Sequence, residues 1–401
     1  MDTQARDLHE DAIIVDGHVH ITNSVYVQGI DPWEEQATGG FDYARARRGG
    51  LNVVIENIYV EDEYNRYNYT VKQACRLLET FHRVLDRHGD KMELALSTAD
   101  VRRIVGTGKM AVILSMEGGF DIEGDIDVLR LFYRLGVRMM QFTNHDTTNA
   151  MTDAACGETR WNGISDHGRA VIREMNRLGI VIDISHTGET AKQQIIETSL
   201  DPVVHSHTGL RHYSSFEANP SDEALRAIAA KGGLVGLHAA GWLLRQESLD
   251  WGYFVNAHDK PGPPSSPPPP WASERAASGD YGAYIAGLDD YLRWKWEEGY
   301  GYGTPWRERQ RIAEENGAPF PTVEHWVQQA AYVVDLDGDE HVAIGLDLMA
   351  GGHFLRDVDA TSYPRLTEAM LKHGLSEATI RKILGENWLR ILDTAASARP
   401  E

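Results

Sequence analysis

The chain has 401 residues, of which 42% are hydrophobic and 25% charged, as in ordinary globular proteins. Its 60 acidic and 39 basic residues give a formal net charge of −21, which disfavours nucleic acid because a phosphate backbone would be repelled. Two cysteines cannot form a disulfide framework, and without a secretory signal or a membrane-length apolar run we expect a cytoplasmic protein with no membrane association.

Short apolar runs rich in β-branched residues recur along the chain and are separated by segments with helical periodicity. This alternation is typical of an α/β protein with a mostly parallel sheet, and it predicts a (β/α)8 barrel of the TIM type as a single domain over residues 1–401. The nine predicted strands, about one more than such a barrel requires, are Ala12–Asp16, Leu51–Ile58, Met92–Leu96, Met110–Ser115, Val137–Thr143, Ile180–Ile184, Pro202–His205, Leu234–His238 and His341–Gly345.

The clearest predicted helix is Gly168–Leu178, in which Val171, Ile172, Met175 and Leu178 fall on one stripe. Gly179 follows at the position where a glycine often ends a helix, and the next predicted strand begins directly after it. Such a helix–strand unit is the repeating element of a parallel α/β fold.

Histidines and carboxylates recur at the C-terminal ends of the predicted strands. In a (β/α)8 barrel these ends open on one face, where the active sites of that fold lie. The residues concerned are His18, His20, Glu117, His145, His186, His207, His238 and Asp347. Because scattered surface histidines would not follow strand ends, the pattern predicts an active site on this face.

A long segment, residues 240–325, interrupts the alternation before the last strand. It contains the tract 261–270, in which seven of ten residues are proline, and such a tract forms neither a helix nor a central strand. The segment starts at the C-terminal end of a strand, so its first part should lie on the active-site face as a lid or an oligomer contact. A surface excursion whose tryptophans pack for stability is an equal alternative.

His18 and His20 occupy alternate positions at a strand end, so their side chains project to the same side and could ligate one metal ion. A pair with this spacing also occurs among packed strand residues, and the motif alone does not decide between the two. Glu117 follows an apolar strand, where its charge would need a cation or strong hydrogen bonds. By itself, this glutamate is better interpreted as capping a loop or pairing with an arginine.

His186 and His207 end two further hydrophobic strands. With His18, His20 and Glu117 they supply four imidazoles and one carboxylate. This set is sufficient for two divalent metal ions bridged by the carboxylate, and zinc is the expected metal.

Two other residues near these strand ends have chemically able side chains. His205 alternates with His207 and is a rival ligand, although a packed or supporting role is the better interpretation. Asp347 ends the last strand and is free to act as a proton shuttle or as a further ligand.

The same residues resemble the membrane (renal) dipeptidase family of the amidohydrolase superfamily. The resemblance covers nearly the whole chain outside the proline-rich segment, and the block from Gly163 to His186 is its most diagnostic part. The resembling stretches, in chain order, are Asp16–His20, Glu117–Gly119, Leu135–Arg138, Trp161–Gly179, Ile182–His186, Ser206–His207, His341–Asp347 and Gly385–Arg390.

The resemblance implies a barrel that holds two zinc ions. It implies that His18 and the residue at position 20 bind one ion, that His186 and His207 bind the other, and that Glu117 bridges them. A metal-bridging hydroxide would attack the scissile carbonyl, and Asp347 would transfer its proton to the leaving amine. Family members cleave dipeptides, some with a D-residue at the C-terminal position, and many are dimers, so the resemblance implies a small dipeptide-like substrate and a homodimer or higher homo-oligomer.

The chain departs from the family pattern in its metal ligands. The family usually has aspartate where His20 stands, and a neutral imidazole leaves the site one unit more positive. This change should make the bound water more acidic or alter the preferred metal.

Two substrate-binding positions also differ from the family. The family histidine that contacts the substrate carbonyl is matched either by His145, from a shifted loop, or by Asn144. The family arginine that grips the substrate carboxylate has no counterpart in the stretch 216–222, and Arg211 lies several residues earlier. Without a bidentate partner, an α-carboxylate loses a strong interaction. We take Arg211 and His238 as the candidate substrate-binding residues.

The sequence supports three hypotheses, of which the first is a binuclear metallohydrolase that cleaves the amide bond of a dipeptide or dipeptide-like compound. The second keeps the site but acts on a non-peptide amide, a lactone or a carboxylated intermediate, by hydrolysis or decarboxylation. The third is a non-catalytic binding protein, which the complete ligand set disfavours.

Overall fold

The computed structural model describes residues 2–61, 64, 69–119, 122, 124–144, 147–251, 287, 289–290, 293–299, 304–348 and 354–396. His145 and the proline tract 261–270 lie outside the described residues, and so does most of the segment 252–303. The predicted insertion at 240–325 is therefore described only at its two ends.

The described strands form one parallel sheet whose main path has eight members, in the order β1-β2-β4-β5-β6-β7-β8-β9. They alternate with helices, and the predicted (β/α)8 barrel is confirmed as a nearly closed barrel. The strands are β1 Val15–Val19, β2 Val53–Tyr59, β3 Met92–Leu94, β4 Met110–Glu117, β5 Val137–Gln141, β6 Val181–Asp183, β7 Val203–Thr208, β8 Leu234–Leu237 and β9 Val342–Ile344.

The surplus predicted strand is β3. It pairs with β4 from Met92 opposite Met110 and lies outside the eight-stranded path. The first strand also differs from its predicted bounds, because its ladder with β2 starts at Val15 opposite Val53, so His18 lies inside the strand. A hydrogen bond from the Leu346 amide to the Asp16 carboxylate, 3.1 Å long, joins the first strand to the end of the last.

The helices that separate the strands pack around the sheet, and a π-helical turn, Lys382–Glu386, continues the chain into the last helix. A second π-helical turn is Lys295–Gly299. The α-helices are Thr3–Asp11, Ile21–Gln28, Tyr43–Arg48, Thr70–Arg87, Thr98–Gly106, Ile126–Arg134, Asp166–Leu178, Glu189–Thr198, Asp222–Ala230, Gly241–Leu244, Gln246–Trp251, Trp306–Glu315, Val323–Asp337, Tyr363–His373, Glu377–Arg381 and Asn387–Ala396. Within the described ranges, none of these helices has the length and apolarity that crossing a bilayer requires.

The helix Asp166–Leu178 illustrates how local sequence fixes an element. It begins two residues before its predicted start, because the Ser165 side chain accepts a hydrogen bond from the Gly168 amide and caps the first turn. It buries Val171, Ile172 and Met175 of its predicted stripe, and Leu178 is partly buried. Gly179 ends it with φ of 78°, a left-handed conformation that glycine adopts without steric cost.

The last helix, Asn387–Ala396, closes the N-terminal end of the barrel. Its apolar side chains cluster with alternate residues of the strands, such as Val15 and Ile113, which are the inward-facing set. Trp388 is fully buried and donates from Nε1 to the Ile344 carbonyl at 2.9 Å. This leaves the C-terminal end as the open end of the barrel.

The described ends of the predicted insertion pack against the barrel. Glu61, two residues after β2, is buried and accepts from Lys295 Nζ at 2.6 Å and from Trp296 Nε1 at 2.9 Å. Because Glu61 follows a strand at its C-terminal end, this contact places the turn Lys295–Gly299 on the face of the barrel at the C-terminal ends of the strands.

Candidate metal centre

Six of the predicted site residues converge at the C-terminal end of the barrel. Each comes from the end of a strand or from the residues directly after it, so the barrel itself sets their positions. They form three overlapping groups whose ligand atoms all lie within 4.8 Å of one another inside each group. The groups are His18, His20 and Glu117; Glu117, His186 and His207; and His18, His207 and Asp347.

The first group is built on β1 and β4. The Nε2 atoms of His18 and His20 are 2.8 Å apart, and each lies 3.0 Å from Glu117 Oε2. The alternate spacing of the two histidines puts both rings on the same side of the chain, as the sequence predicts. Three donor atoms of the types that borderline divalent metals prefer therefore face one point.

The second group is built on β6 and β7 and uses the other oxygen of the same carboxylate. His186 Nε2 lies 2.8 Å from His207 Nε2 and 3.4 Å from Glu117 Oε1. The two oxygens of Glu117 thus serve different histidine pairs. A carboxylate placed in this way fits the bridging position between two cations.

Two residues of the centre have an unfavourable backbone conformation. His186 has φ of 63° and Asp347 has φ of 47°, both in the left-handed region that residues with a Cβ seldom adopt. Such strain is found at functional sites, where the surrounding structure holds the side chain in place. In His186 and Asp347 the left-handed conformation directs the side chain toward the open C-terminal end of the barrel.

The electrostatics of the centre favour a bound cation. Burial acts to raise the pKa of Glu117, but His20 and His18 hold it well below the usual range, so this carboxylate is ionised. Burial lowers the pKa of His207 well below its ordinary value, which keeps its imidazole neutral. Burial also acts to lower the pKa of His20, but Glu117 and Asp347 raise it to about 9. Anionic oxygen and imidazole nitrogen together fit zinc and similar ions.

Asp347 is held from one side by His238, which directly follows β8. The backbone amide of Ala240 donates to His238 Nδ1 at 2.9 Å, so the ring proton lies on Nε2. That nitrogen lies 3.1 Å from Asp347 Oδ2. The other oxygen, Oδ1, accepts no hydrogen bond within the described part of the chain and lies 3.6 Å from His20 Nε2. Asp347 therefore presents one oxygen to the centre.

A second carboxylate lies behind His20. Glu56, on β2, is fully buried and accepts from the Thr22 amide at 2.7 Å and from the Tyr43 hydroxyl at 3.0 Å. Burial raises its pKa to about 7, although these bonds and the nearby His20 act to lower it. Its negative charge lies close enough to raise the pKa of His20. Glu56 was not predicted, because nothing in a strand sequence reveals which neighbour it faces.

Two uncharged residues also contact the ligands and were not predicted. Gln141, the last residue of β5, donates from Nε2 to Glu117 Oε1 at 3.2 Å. Ser206 Oγ lies within hydrogen-bond distance of both His18 and His207. The position of Gln141 at a strand end and the adjacency of Ser206 to His207 were visible in the sequence, but neutral polar side chains do not indicate a metal site.

The other predicted residues have different surroundings. Arg211 is held by Glu189 Oε2 at 3.2 Å and by the Glu217 carbonyl at 3.0 Å. The buried Asn144 accepts from the Thr147 amide through Oδ1 at 3.1 Å. Neither is among the residues of the three ligand groups.

His205 packs away from the ligands, with Nδ1 3.1 Å from Ser185 Oγ and Nε2 3.3 Å from the Ala218 carbonyl. Burial lowers its pKa well below the usual value. It has the supporting position that its place in the sequence favoured.

Comparison with known proteins gives a consistent result. A family model described as membrane dipeptidase (Peptidase family M19) matches residues 2–401. Dipeptidase tcpJ of Claviceps purpurea (strain 20.1) is 25% identical over 404 residues, which cover 96% of this chain and 78% of that protein. Dipeptidase verJ of Clonostachys rogersoniana is 24% identical over 410 residues, which cover 98% and 86%.

Solved structures have the same fold. The probable dipeptidase PvdM from Pseudomonas aeruginosa matches with a TM-score of 0.76 at 22% identity, covering 99% of this chain and 98% of that one. A metallo peptidase from Rhodobacter sphaeroides, liganded with a phosphinate mimic of the dipeptide L-Ala-D-Ala, matches with a TM-score of 0.70 at 20% identity, covering 96% and 100%.

Proposed function

Since the chain belongs to the membrane dipeptidase family, Peptidase family M19, we propose that it is a binuclear metal-dependent hydrolase that cleaves the amide bond of a dipeptide or a dipeptide-like compound. The observation that carries this proposal is the division of the Glu117 carboxylate between two histidine pairs. His18 and His20 would hold one ion, and His186 and His207 the other. Zinc is the expected metal for this donor set.

Two bound cations would lower the pKa of a water molecule and stabilise negative charge on the substrate carbonyl oxygen. The protein supplies the proton transfer. Asp347 has one oxygen fixed by His238 and the other directed at the centre, so it is placed to take a proton and deliver it to the leaving amine.

The role of His238 follows from its two hydrogen bonds. The sequence suggested a substrate-binding residue, but Ala240 occupies one ring nitrogen and Asp347 the other. These contacts support a positioning role, in which His238 orients Asp347. Asn144 and His145 remain the candidates for contact with the substrate carbonyl.

The α-carboxylate of a dipeptide substrate needs a cationic partner, for which Arg211 is the candidate. Arg211 is engaged by Glu189, so it would have to leave an existing ion pair to bind a substrate anion. This contact and the histidine at position 20 favour a second candidate: hydrolysis or decarboxylation of a non-peptide amide, a lactone or a carboxylated intermediate at the same centre. Assembly as a homodimer or larger homo-oligomer and a cytoplasmic location stay predictions from the sequence.

Reconstitution and a substrate panel would test the proposal. Protein stripped with a chelator is reloaded with zinc, cobalt or manganese, its metal content is measured, and L,L and L,D dipeptides are assayed. We expect about two equivalents of metal and a kcat/KM of roughly 10⁴ M⁻¹s⁻¹ or more for at least one dipeptide. Asp347→Asn should retain the metal and lose most of kcat, whereas the matched variant Asp127→Asn, on an exposed helix end, should change neither.

Two results would contradict it. Metal content well below one equivalent in wild type, unchanged by His186→Ala, would contradict the assignment as a metallohydrolase. Full metal loading with no dipeptide turnover would contradict the dipeptidase activity and favour the second candidate function.

A further inference from the structure

We propose that the hydroxyl group of Ser206 is a shared positioning group for the two metal-binding histidine pairs. Ser206 lies in β7 and is fully buried. Its Oγ is 3.1 Å from Nδ1 of His18 and 2.8 Å from Nδ1 of His207. These two rings belong to different histidine pairs, His18 with His20 and His207 with His186, and their centroids are 3.6 Å apart. One hydroxyl thus contacts one ligand from each side of Glu117.

The proton count gives this contact a direction. An imidazole that offers the Nε2 lone pair to a cation carries its proton on Nδ1, so both His18 and His207 must donate toward Ser206. A hydroxyl oxygen can accept two hydrogen bonds while donating one. Ser206 can therefore satisfy both rings at once, provided that its own proton goes elsewhere.

A neighbouring serine and a carboxylate provide the acceptor for that proton. Ser185 Oγ lies 3.2 Å from Ser206 Oγ and donates to Asp183 Oδ1 at 2.6 Å. The Ser206 amide also donates to this pair, at 2.9 Å to Ser185 Oγ and 3.1 Å to Asp183 Oδ1. Because the Ser185 hydroxyl donates its own proton to Asp183, its oxygen is left to accept from Ser206, and the series runs from the histidines through Ser206 and Ser185 to Asp183.

The consequence is a link between the two metal-binding sites. Residues that fix the tautomer and orientation of a ligand usually change metal affinity by roughly 10- to 100-fold when they are removed. Loss of the Ser206 hydroxyl would leave two buried N–H donors without an acceptor, one in each histidine pair. Both ions should then be held less tightly, whereas loss of a single ligand would affect one ion first.

The experiment compares Ser206→Ala with Ser185→Ala, which removes a buried serine of the same series that is hydrogen-bonded to neither His18 nor His207. Metal dissociation constants of the complete chain are measured by competition with a chelator, using zinc alone. We expect Ser206→Ala to weaken both zinc ions roughly 10- to 100-fold and Ser185→Ala to have a clearly smaller effect. Ser206→Thr, which keeps the hydroxyl, should restore most of the affinity.

A second readout is the hydrogen bond of the two rings themselves. In zinc-loaded protein labelled with ¹⁵N-histidine, the ring nitrogen shifts of His18 and His207 should report a hydrogen-bonded Nδ1–H in wild type, and the shift due to that hydrogen bond should be lost in Ser206→Ala. An unfolded Ser206→Ala variant would leave the tautomer of the wild-type rings and the affinity of Ser206→Thr as the test. Nε2–H rings in wild type, or Ser206→Ala affinities for both ions equal to wild type, would overturn the proposal.

Ser206 has this role only if the proposed metal centre exists, and the two can fail separately. Wild type that binds no zinc contradicts the proposed function itself. Wild type that binds two zinc ions, together with an unaffected or singly affected Ser206→Ala variant, contradicts only the role of Ser206.

Discussion

Two polar side chains of the last helix, at the N-terminal end of the barrel, bind backbone carbonyls. Asn387 donates to the Val342 carbonyl at 2.8 Å, and Arg390 donates to the Gly232 carbonyl at 2.6 Å. At the C-terminal end, ring nitrogens instead face other ring nitrogens at 2.8 Å around one carboxylate. In the first arrangement the protein itself supplies the acceptors of these hydrogen bonds, whereas the second has the donor set that a bound cation would complete. The same fold therefore has one end built for stability and one end built for chemistry.

The largest expected effect is at the C-terminal end, where Glu117→Gln removes the charge that both histidine pairs share. We expect loss of bound metal and a fall in activity of roughly 10⁴-fold, about 5.5 kcal/mol of transition-state stabilisation. Metal analysis and steady-state kinetics measure the two effects. The matched variant Glu174→Gln, whose carboxylate pairs with Arg130 and Arg177, should keep its metal. Retention of two ions by Glu117→Gln would contradict the view that the C-terminal end of the barrel depends on this shared charge.

At the N-terminal end, Trp388→Ala should act on stability alone. Trp388 is fully buried, and truncating such a side chain costs about 3–5 kcal/mol through lost contacts and a cavity. Denaturant unfolding measures the loss, and metal content per folded molecule should equal that of wild type. Leu200→Ala, at a side chain that is 69% exposed, should change stability by less than about 0.5 kcal/mol. A selective loss of metal in Trp388→Ala would mean that the two ends are not independent.

The helix Glu189–Thr198 contains a buried lysine, and its charge should lower the stability of the fold. Lys192 is fully buried in the helix that follows β6, and burial lowers its pKa to about 8. Because the unfolded chain holds this proton up to about pH 10.5, the unfolded state binds more protons between pH 8 and 10.5 and the stability of the fold rises with pH there. The cost of the buried charge is fully present below pH 8.

Lys192→Met should therefore be more stable than wild type at pH 7, by at most about 3 kcal/mol. The advantage should shrink as the pH rises from 8 to 10.5, which guanidinium unfolding of both proteins at several pH values can measure. A stability difference that does not change with pH would show that folding leaves the pKa of the lysine unchanged, as expected for a solvated or fully paired ammonium group.

The smallest expected effect concerns the charge balance at His20. Glu56→Gln should weaken metal binding in wild type, where a metal-bound His20 is a neutral ligand, but less so in a His20→Asp background, where the ligand supplies the negative charge. We expect a coupling of roughly tenfold in metal affinity, about 1.4 kcal/mol, in the double-mutant cycle. Tyr43→Phe removes one hydrogen bond to Glu56 and not its charge, so it should show no such coupling. Additive effects of the two substitutions would mean that Glu56 has only a structural role.

Much of this fold was predictable because its signals are local. Each of the nine predicted strands is present in the described part of the chain, since short β-branched runs with flanking helices indicate a parallel sheet wherever they occur. That β3 lies off the main path could not be predicted, because only its pairing with β4 decides this. The candidate metal centre was predictable as a set of residue types at strand ends, but the partners of Arg211 and His238 were not.

The sequence by itself determined which side chains stand at the C-terminal ends of the strands, because each strand and the residues that follow it are contiguous in the chain. Only the tertiary structure decided how they are shared: that the two oxygens of Glu117 serve different histidine pairs, and that Ser206 contacts His18 from 188 residues away. Contacts at such distances along the chain exist only once the barrel has closed, and each depends on ångström-scale positions that no local pattern records.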